Sequence, residues 1–181
     1  RYLMQSWKRT LIMKRVFIGL GSGVLVFIGV FILWYNSLLQ MKPVSTYEVN
    51  THVTDQRLLI AAQGSEFKDA LVSDVILEIE GSEVYIKVID AMLLSEVDRG
   101  DWDAILLIHA WQIWEPHPAV EAFVGDSFDP VTMFMVTTAD NGVAHMEGID
   151  GITGASSMAK VNADVERIVG WLKASPNLNI K

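Results

Sequence analysis

The sequence contains no cysteine among its 181 residues. Disulfides, thiolate nucleophiles and zinc sites with sulfur ligands are therefore excluded. It also lacks the Gly-x-Ser-x-Gly and His-Glu-x-x-His patterns that mark many hydrolases and metalloproteases. Its four histidines show no metal-ligand spacing. We therefore expect no metal site.

Basic residues are scarce in most of the chain. Six of the 14 precede Pro43, and from Pro43 onward 8 basic residues face all 22 acidic ones, a net charge of −14. A body this acidic disfavours nucleic acid and anionic lipid as partners. The 51% hydrophobic content also excludes a disordered chain.

Charge is entirely missing from residues 16–35, which follow a basic flank, residues 1–15. Twenty residues of helix span about 30 Å, the thickness of a bilayer's hydrocarbon core. Trp34 and Tyr35 end the run, where interfacial aromatic residues are common. A cleaved signal peptide is the alternative, but residues 36–45 contain no Ala-x-Ala site. The sequence predicts a transmembrane helix over 16–35.

The charges around this segment predict its orientation. Five Lys or Arg residues precede it, and only Lys42 and Arg57 follow within some twenty residues. The positive-inside rule then places the N-terminus in the cytoplasm and the acidic body outside it. Residues 36–57, polar and rich in turn formers, are interpreted as a linker.

The body, residues 58–181, alternates apolar strand-like runs with helical periodicities. Such alternation predicts an α/β fold with three layers and a mostly parallel sheet. The connection 139–154 is too short for a full helix and a full strand, so one helix is expected to be reduced or missing. The predicted strands are 58–62, 83–90, 103–111, 131–138 and a brief one near 146–153, with helices after Ser65, over 118–124 and after Ser156-Ser157.

Ligands of an open parallel sheet bind beyond the carboxyl ends of its strands, where the strand order reverses. For the order 2-1-3-4-5, Gln63-Gly64-Ser65 and the segment from Trp111 to Trp114 should face each other there. A Gly-Ser turn that opens a helix offers N–H groups to a phosphate, and tryptophans can stack on a planar ring. The alternatives are an ordinary capped turn and two packing tryptophans.

The order of elements over residues 58–174 resembles the flavodoxin-like superfamily. Leu-Ile-Ala-Ala-Gln-Gly-Ser-Glu-Phe-Lys-Asp-Ala, Asp-Ala-Ile-Leu-Leu-Ile and Thr-Thr-Ala-Asp, the last containing Thr138, carry the resemblance to small proteins of this group. It implies a three-layer sandwich with strand order 2-1-3-4-5. It also implies noncovalent FMN, held at Gly64, Ser65, Thr138 and the tryptophans. Of the hydroxyl-rich phosphate loop of flavodoxins, this chain keeps Gly64 and Ser65.

A second, shorter resemblance covers Asp150-Gly151-Ile152-Thr153-Gly154-Ala155-Ser156. It is similar to the Asp-x-x-Ser/Thr-Gly-Ala-Thr/Ser motif of FMN-binding domains in membrane-bound ion-pumping redox complexes. In those domains a flavin transferase esterifies the last hydroxyl residue with FMN phosphate outside the cytoplasm. The resemblance implies Ser156 as the acceptor and Asp150 as part of the recognition motif. Helix capping by Ser156 or Ser157 is the alternative.

Two functions remain open at this point. In the first, the protein is a membrane-tethered FMN carrier that passes electrons to or from a redox partner at the membrane surface. In the second, it is a cofactor-free binding domain, such as an accessory subunit that docks on a membrane protein complex through its span.

Overall fold

The computed structural model describes residues 19, 21–35, 41–53, 55–112, 115–125, 128–139, 142–144, 146, 148–149 and 151–180. The chain divides into two compact units, Arg1–Gln40 and Met41–Lys181. Each unit is described by itself.

In the first unit, residues 21–35 form helix α1, and its large apolar side chains are exposed. The Phe31 ring lies 5.8 Å from that of Trp34 and 6.2 Å from that of Tyr35, measured between centroids. Among the residues that the structure describes, no helix has both the length and the apolar character needed to cross a membrane. Residues 16–18 and 20 of the predicted span lie outside the described residues.

The second unit is an α/β domain built on a mixed sheet. Its described strands are β1 Tyr47–Val49, β2 Arg57–Ala62, β3 Tyr85–Asp90, β4 Ala104–Gln112, β5 Glu115–Pro116, β6 Met133–Thr138 and β7 Gly151–Gly154. Strands β3-β2-β4-β6-β7 pair in parallel, in the order predicted for the five apolar strands. β1 and β5 pair antiparallel to β3 and β4.

The two antiparallel strands make the sheet mixed, whereas the sequence predicts a mostly parallel one. β1 lies inside residues 36–57, the predicted linker. This strand has only three residues at an edge, so it lacks the long apolar run that marks the central strands. The Asn50 amide nitrogen lies 3.0–3.1 Å from the backbone carbonyls of Glu80, Ser82 and Val84, which fixes the end of β1 beside the α2–β3 connection.

Helices cover both faces of the sheet, which gives three layers. α2 (Glu66–Ile79) and α4 (Val161–Ala174) share one buried apolar cluster with one face of the strands. α3 (Pro118–Val124) and a 3₁₀ helix (Ala91–Glu96) share a second cluster with the other face. A further 3₁₀ helix, Arg99–Asp101, completes the β3–β4 connection, which has no α-helix.

Strand β2 shows why the central strands were recognisable. Leu58 and Ile60 face the α2 and α4 side, while Leu59 and Ala61 face the other side, and all four are fully buried. A strand buried on both faces is a continuous apolar run. Each buried Leu or Ile contributes about 1.5–3 kcal/mol relative to an exposed one. This burial fixes the register that brings the carboxyl ends of the strands together.

Candidate cofactor site at the carboxyl edge of the sheet

The predicted site residues that the structure describes all lie at the carboxyl edge of the sheet. They are Gly64 and Ser65 after β2, Trp111 near the end of β4, Thr138 at the end of β6 and Ser156 beyond β7. Trp114 and Asp150 lie outside the described residues.

Gln63 closes the gap that the sequence predicts between β2 and β4. Its backbone N–H donates to the carbonyl of Ile108 at 2.9 Å. Its side-chain Oε1 accepts from the N–H of Ala110 at 2.6 Å. The Gln63 side chain therefore replaces a further rung of the β2–β4 ladder. It is 3% exposed, so the floor of the expected crevice is filled by protein.

The Gly64 amide is used by the chain itself. Residues 41–44, which we call the strap, run antiparallel to the turn, and the Gly64 N–H donates to the Lys42 carbonyl at 3.0 Å. A Cβ at Gly64 would collide with that carbonyl oxygen. The strap is also held by the Val44 N–H, which donates to Asp90 Oδ2 at 2.8 Å. The N–H predicted to bind phosphate therefore already has an acceptor.

Ser65 is the N-cap of α2, as its position predicts. Its Oγ accepts from the N–H of Lys68 at 3.3 Å, and its carbonyl accepts from the N–H of Asp69 at 2.7 Å. Two acidic residues, Glu66 and Asp69, occupy the first turn. Their carboxylates interact favourably with the positive end of the helix dipole. They also repel a phosphate, which would bind at the same end of the helix. The turn does not fit the phosphate of a noncovalent FMN.

Trp111 and Thr138 have structural partners at this edge. Trp111 is half-buried, and the chain after it folds back so that Trp111 pairs with Pro116 of β5. Thr138 is buried, and its Oγ1 donates to the His109 carbonyl at 3.2 Å, which ties β6 to β4. Trp111 is therefore partly accessible, whereas the Thr138 hydroxyl is engaged within the sheet.

Ser156 is exposed and does not occupy the N-cap position of a helix. A 3₁₀ turn, Met158–Lys160, intervenes, and α4 begins only at Val161. Neither the turn, whose N-cap is Ser157, nor α4 has a side-chain cap hydrogen bond. Of the capping alternative, the structure retains only the position of Ser157 before the 3₁₀ turn, without a side-chain hydrogen bond. The Ser156 side chain is open to solvent two residues beyond β7.

Lys68 is a buried cation that sequence reasoning did not single out. Its side chain is 1% exposed, and Nζ has a single hydrogen-bond partner among the described residues, Met41 Sδ at 3.9 Å in the strap. Burial lowers the pKa of the Lys68 ammonium to about 8, and the Asp69 carboxylate offsets this only in part. The available signal was a lysine adjoining the apolar stripe of Phe67 and Leu71.

His109 is structural, as a lone histidine in an apolar strand predicts. It is fully buried, and Nε2 lies 2.8 Å from Thr137 Oγ1 on the neighbouring strand. Among the described residues, its Nδ1 has no hydrogen-bond partner. Burial, together with the nearby Lys68 charge, lowers the pKa of His109 to about 4, and interaction with the Ala110 backbone opposes this only in part. The imidazole is therefore neutral at physiological pH.

Within the part of the chain that the structure describes, no three His, Asp or Glu side chains are grouped as metal ligands. No model of a known protein family matches the chain, and no curated protein is significantly similar to it. The mixed-sheet α/β fold and the carboxyl edge of the sheet therefore carry the functional argument.

Proposed function

We propose that the protein is a membrane-anchored, flavodoxin-like electron-transfer domain that carries FMN as a phosphoester on Ser156. The observation that carries this proposal is the exposed Ser156 hydroxyl, which makes no cap hydrogen bond and ends the motif from Asp150. FMN, once attached, would supply the one- and two-electron chemistry.

The position of Ser156 on the sheet supports the same proposal. β7 pairs with β6, and β6 pairs with β4, so Trp111 near the end of β4 and Ser156 after β7 lie at strand ends that are two places apart. Neighbouring strands lie about 4.8 Å apart, so these strand ends are separated by about 10 Å. An aromatic side chain at that distance is available to contact a planar ring system attached at Ser156. Ser156 would hold the phosphate, and Trp111 would orient the ring.

The membrane anchor is part of the proposal. Residues 16–35 are uncharged, and the described residues 21–35 form a helix whose large apolar side chains are exposed. Exposed apolar surface of this extent has a favourable environment in a bilayer. The basic flank then orients the acidic domain outside the cytoplasm, where the domains that share the Ser156 motif carry their flavin. Digestion of intact spheroplasts with protease tests this orientation, because the body should be cleaved while the membrane is still closed.

A cofactor-free binding domain is the second candidate, and one specific observation favours it. The Lys42 carbonyl occupies the Gly64 N–H, and Gln63 fills the floor between β2 and β4. A sheet edge that the chain closes by itself suits a domain that presents surfaces to a partner complex. In this case the apolar N-terminal segment would dock the protein on other membrane subunits.

The visible spectrum of protein purified from its native membrane separates these candidates. We expect a flavin spectrum whose colour stays with the pellet after acid precipitation, because a phosphoester survives unfolding. A Ser156→Ala variant should be colourless, whereas the matched control Ser157→Ala should keep the colour. Circular dichroism of both variants confirms that folding is unchanged.

Two other results would assign different functions. Colour released into the acid supernatant would indicate noncovalent FMN and would contradict attachment at Ser156. Colourless native protein that takes up no added FMN would exclude both flavin mechanisms and leave the cofactor-free binding domain.

A further inference from the structure

A cavity of about 370 Å³ lies on the face of the sheet that carries α3. It is bounded by β2, β3 and the two 3₁₀ helices of the β3–β4 connection. A full α-helix in this connection would cover that face, and the short 3₁₀ turns leave it open. Leu59 and Ile89 are buried and line its base, while Trp102 lines one side.

The sheet side of this cavity is positively charged. Arg57 and Lys87 line it from adjacent strands. The Arg57 guanidinium carbon lies 4.7 Å from the ring centroid of Trp102 and 5.5 Å from that of Tyr85. Within the described residues Arg57 forms no ion pair with a carboxylate, whereas Lys87 pairs with Glu48 at 3.8 Å. A guanidinium that stacks on an aromatic ring keeps its in-plane N–H donors available for a carboxylate.

The opposite side of the cavity is negatively charged. Glu96, Asp98 and Asp101 line it from the two 3₁₀ helices and their junction. Asp98 Oδ1 accepts from the Gly100 N–H at 2.9 Å, which fixes this side chain in the turn. No ion pair joins these acids to Arg57 or Lys87 in the described structure. Side chains of opposite charge therefore line the same cavity, and no ion pair joins them in the described structure.

We propose that this cavity binds a small zwitterion of the α-amino acid class. The ligand carboxylate would bind the Arg57 guanidinium, and its ammonium would bind the carboxylates of Glu96 and Asp101. Its side chain would pack on the accessible apolar lining that Leu93, Val97 and Trp102 provide. The volume lies in the range of small-molecule sites. This site is separate from Ser156, and it goes beyond the proposed electron-transfer function.

The test measures binding of L-leucine, N-acetyl-L-leucine and L-leucinamide to the full-length protein. Titrations to about 10 mM follow the Trp102 indole resonance by NMR, assigned with a Trp102→Phe variant. We expect L-leucine to shift this resonance saturably. The acetylated compound lacks the ammonium and the amide lacks the carboxylate, so each should bind about tenfold more weakly or not at all.

Variants distinguish recognition of both charges from general surface binding. Arg57→Lys keeps the charge but removes the planar fork, and Asp101→Asn removes one carboxylate. Each should weaken L-leucine binding about tenfold, since each removes a charge-assisted hydrogen bond. Glu166→Gln, at an exposed position of α4, is the matched control and should bind like the unmodified protein.

Either of two results overturns the proposal. One is the absence of saturable binding by L-leucine. The other is equal binding of all three compounds, or equal effects of the cavity variants and the control. Ser156→Ala should bind L-leucine normally, so loss of the flavin and loss of this site are distinguishable.

Discussion

Replacing Lys68 by methionine should stabilise the protein. The Lys68 ammonium is 1% exposed, and among the described residues its hydrogen-bond partner is the Met41 thioether, a weak acceptor. The pKa of this group falls from 10.5 in a solvated lysine to about 8 in the fold. That change corresponds to about 3 kcal/mol at neutral pH, because a change of one in pKa is about 1.4 kcal/mol. Methionine keeps the length of the side chain and removes the buried charge.

The same reasoning fixes the direction of the pH dependence. Below pH 8, Lys68 is protonated in both folded and unfolded chains, and the full cost of burying the charge is present. Between pH 8 and 10.5 the folded chain releases this proton while the unfolded chain keeps it, so the free energy of unfolding rises. The pKa values of Tyr47 and Tyr85 are raised above 10 by burial, so these groups stay neutral between pH 8 and 9.5.

The assay is urea unfolding of the full-length protein at pH 7, 8, 9 and 9.5, followed by near-ultraviolet circular dichroism. The unmodified protein should gain stability across this series relative to Lys68→Met, and the gap between the two should narrow. Lys173→Met on the exposed last turn of α4 is the matched control and should follow the unmodified protein. The reasoning is refuted if Lys68→Met is less stable at pH 7, or if the gap does not change with pH.

Three further predictions use the same unfolding assay. Gly64→Ala should lower the free energy of unfolding by about 1–3 kcal/mol, because the new Cβ would collide with the Lys42 carbonyl. Gly170→Ala, which has open space in α4, should raise it by about 0.5–1 kcal/mol. Equal effects of the two substitutions would contradict the strap contact. Ser65→Ala should lower the free energy of unfolding by about 1 kcal/mol, because the N-cap hydrogen bond is lost. Ser156→Ala should change it by less than about 0.5 kcal/mol. A larger loss for Ser156→Ala would indicate a structural role for its hydroxyl. Burial lowers the pKa of His109 to about 4, so the unfolded chain binds a proton at higher pH than the folded chain does. The free energy of unfolding should therefore fall as the pH decreases from 6.5 to 4, and His109→Gln should make this decrease less steep. An equally steep decrease in the variant would assign the pH dependence to other groups.

The central strands could be predicted from the sequence because they are buried on both faces and are therefore continuous apolar runs. Ile105 and Leu106 of β4 face opposite layers and are both buried, so the strand is apolar along its whole length. The parallel order of the five central strands agrees with the prediction for the same physical reason. β1 and β5 carry no comparable signal, because edge strands of two or three residues bury little and pair through their backbones.

The site was predictable in location but not in its contacts. The carboxyl ends of parallel strands share one edge, so placing Gly64 and Trp111 there needed only the strand order. The hydrogen bond from the Gly64 N–H to the Lys42 carbonyl joins two segments 22 residues apart. Neither segment has a sequence pattern that predicts this pairing. The absence of a cap at Ser156 has a different cause, since a 3₁₀ turn before α4 displaces the helix start from the Ser-Ser pair.

These contacts also give different expectations for the two proposed places of a flavin. A phosphate at Gly64 must displace the Lys42 carbonyl, and lifting the strap also breaks the bond from the Val44 N–H to Asp90. Each such hydrogen bond contributes about 0.5–1.5 kcal/mol, so noncovalent binding starts with a loss of roughly tenfold to a hundredfold in affinity. Attachment at Ser156 breaks no cap hydrogen bond, because neither the 3₁₀ turn nor α4 has a side-chain cap. A flavin on this domain is therefore expected at Ser156, with the strap left in place.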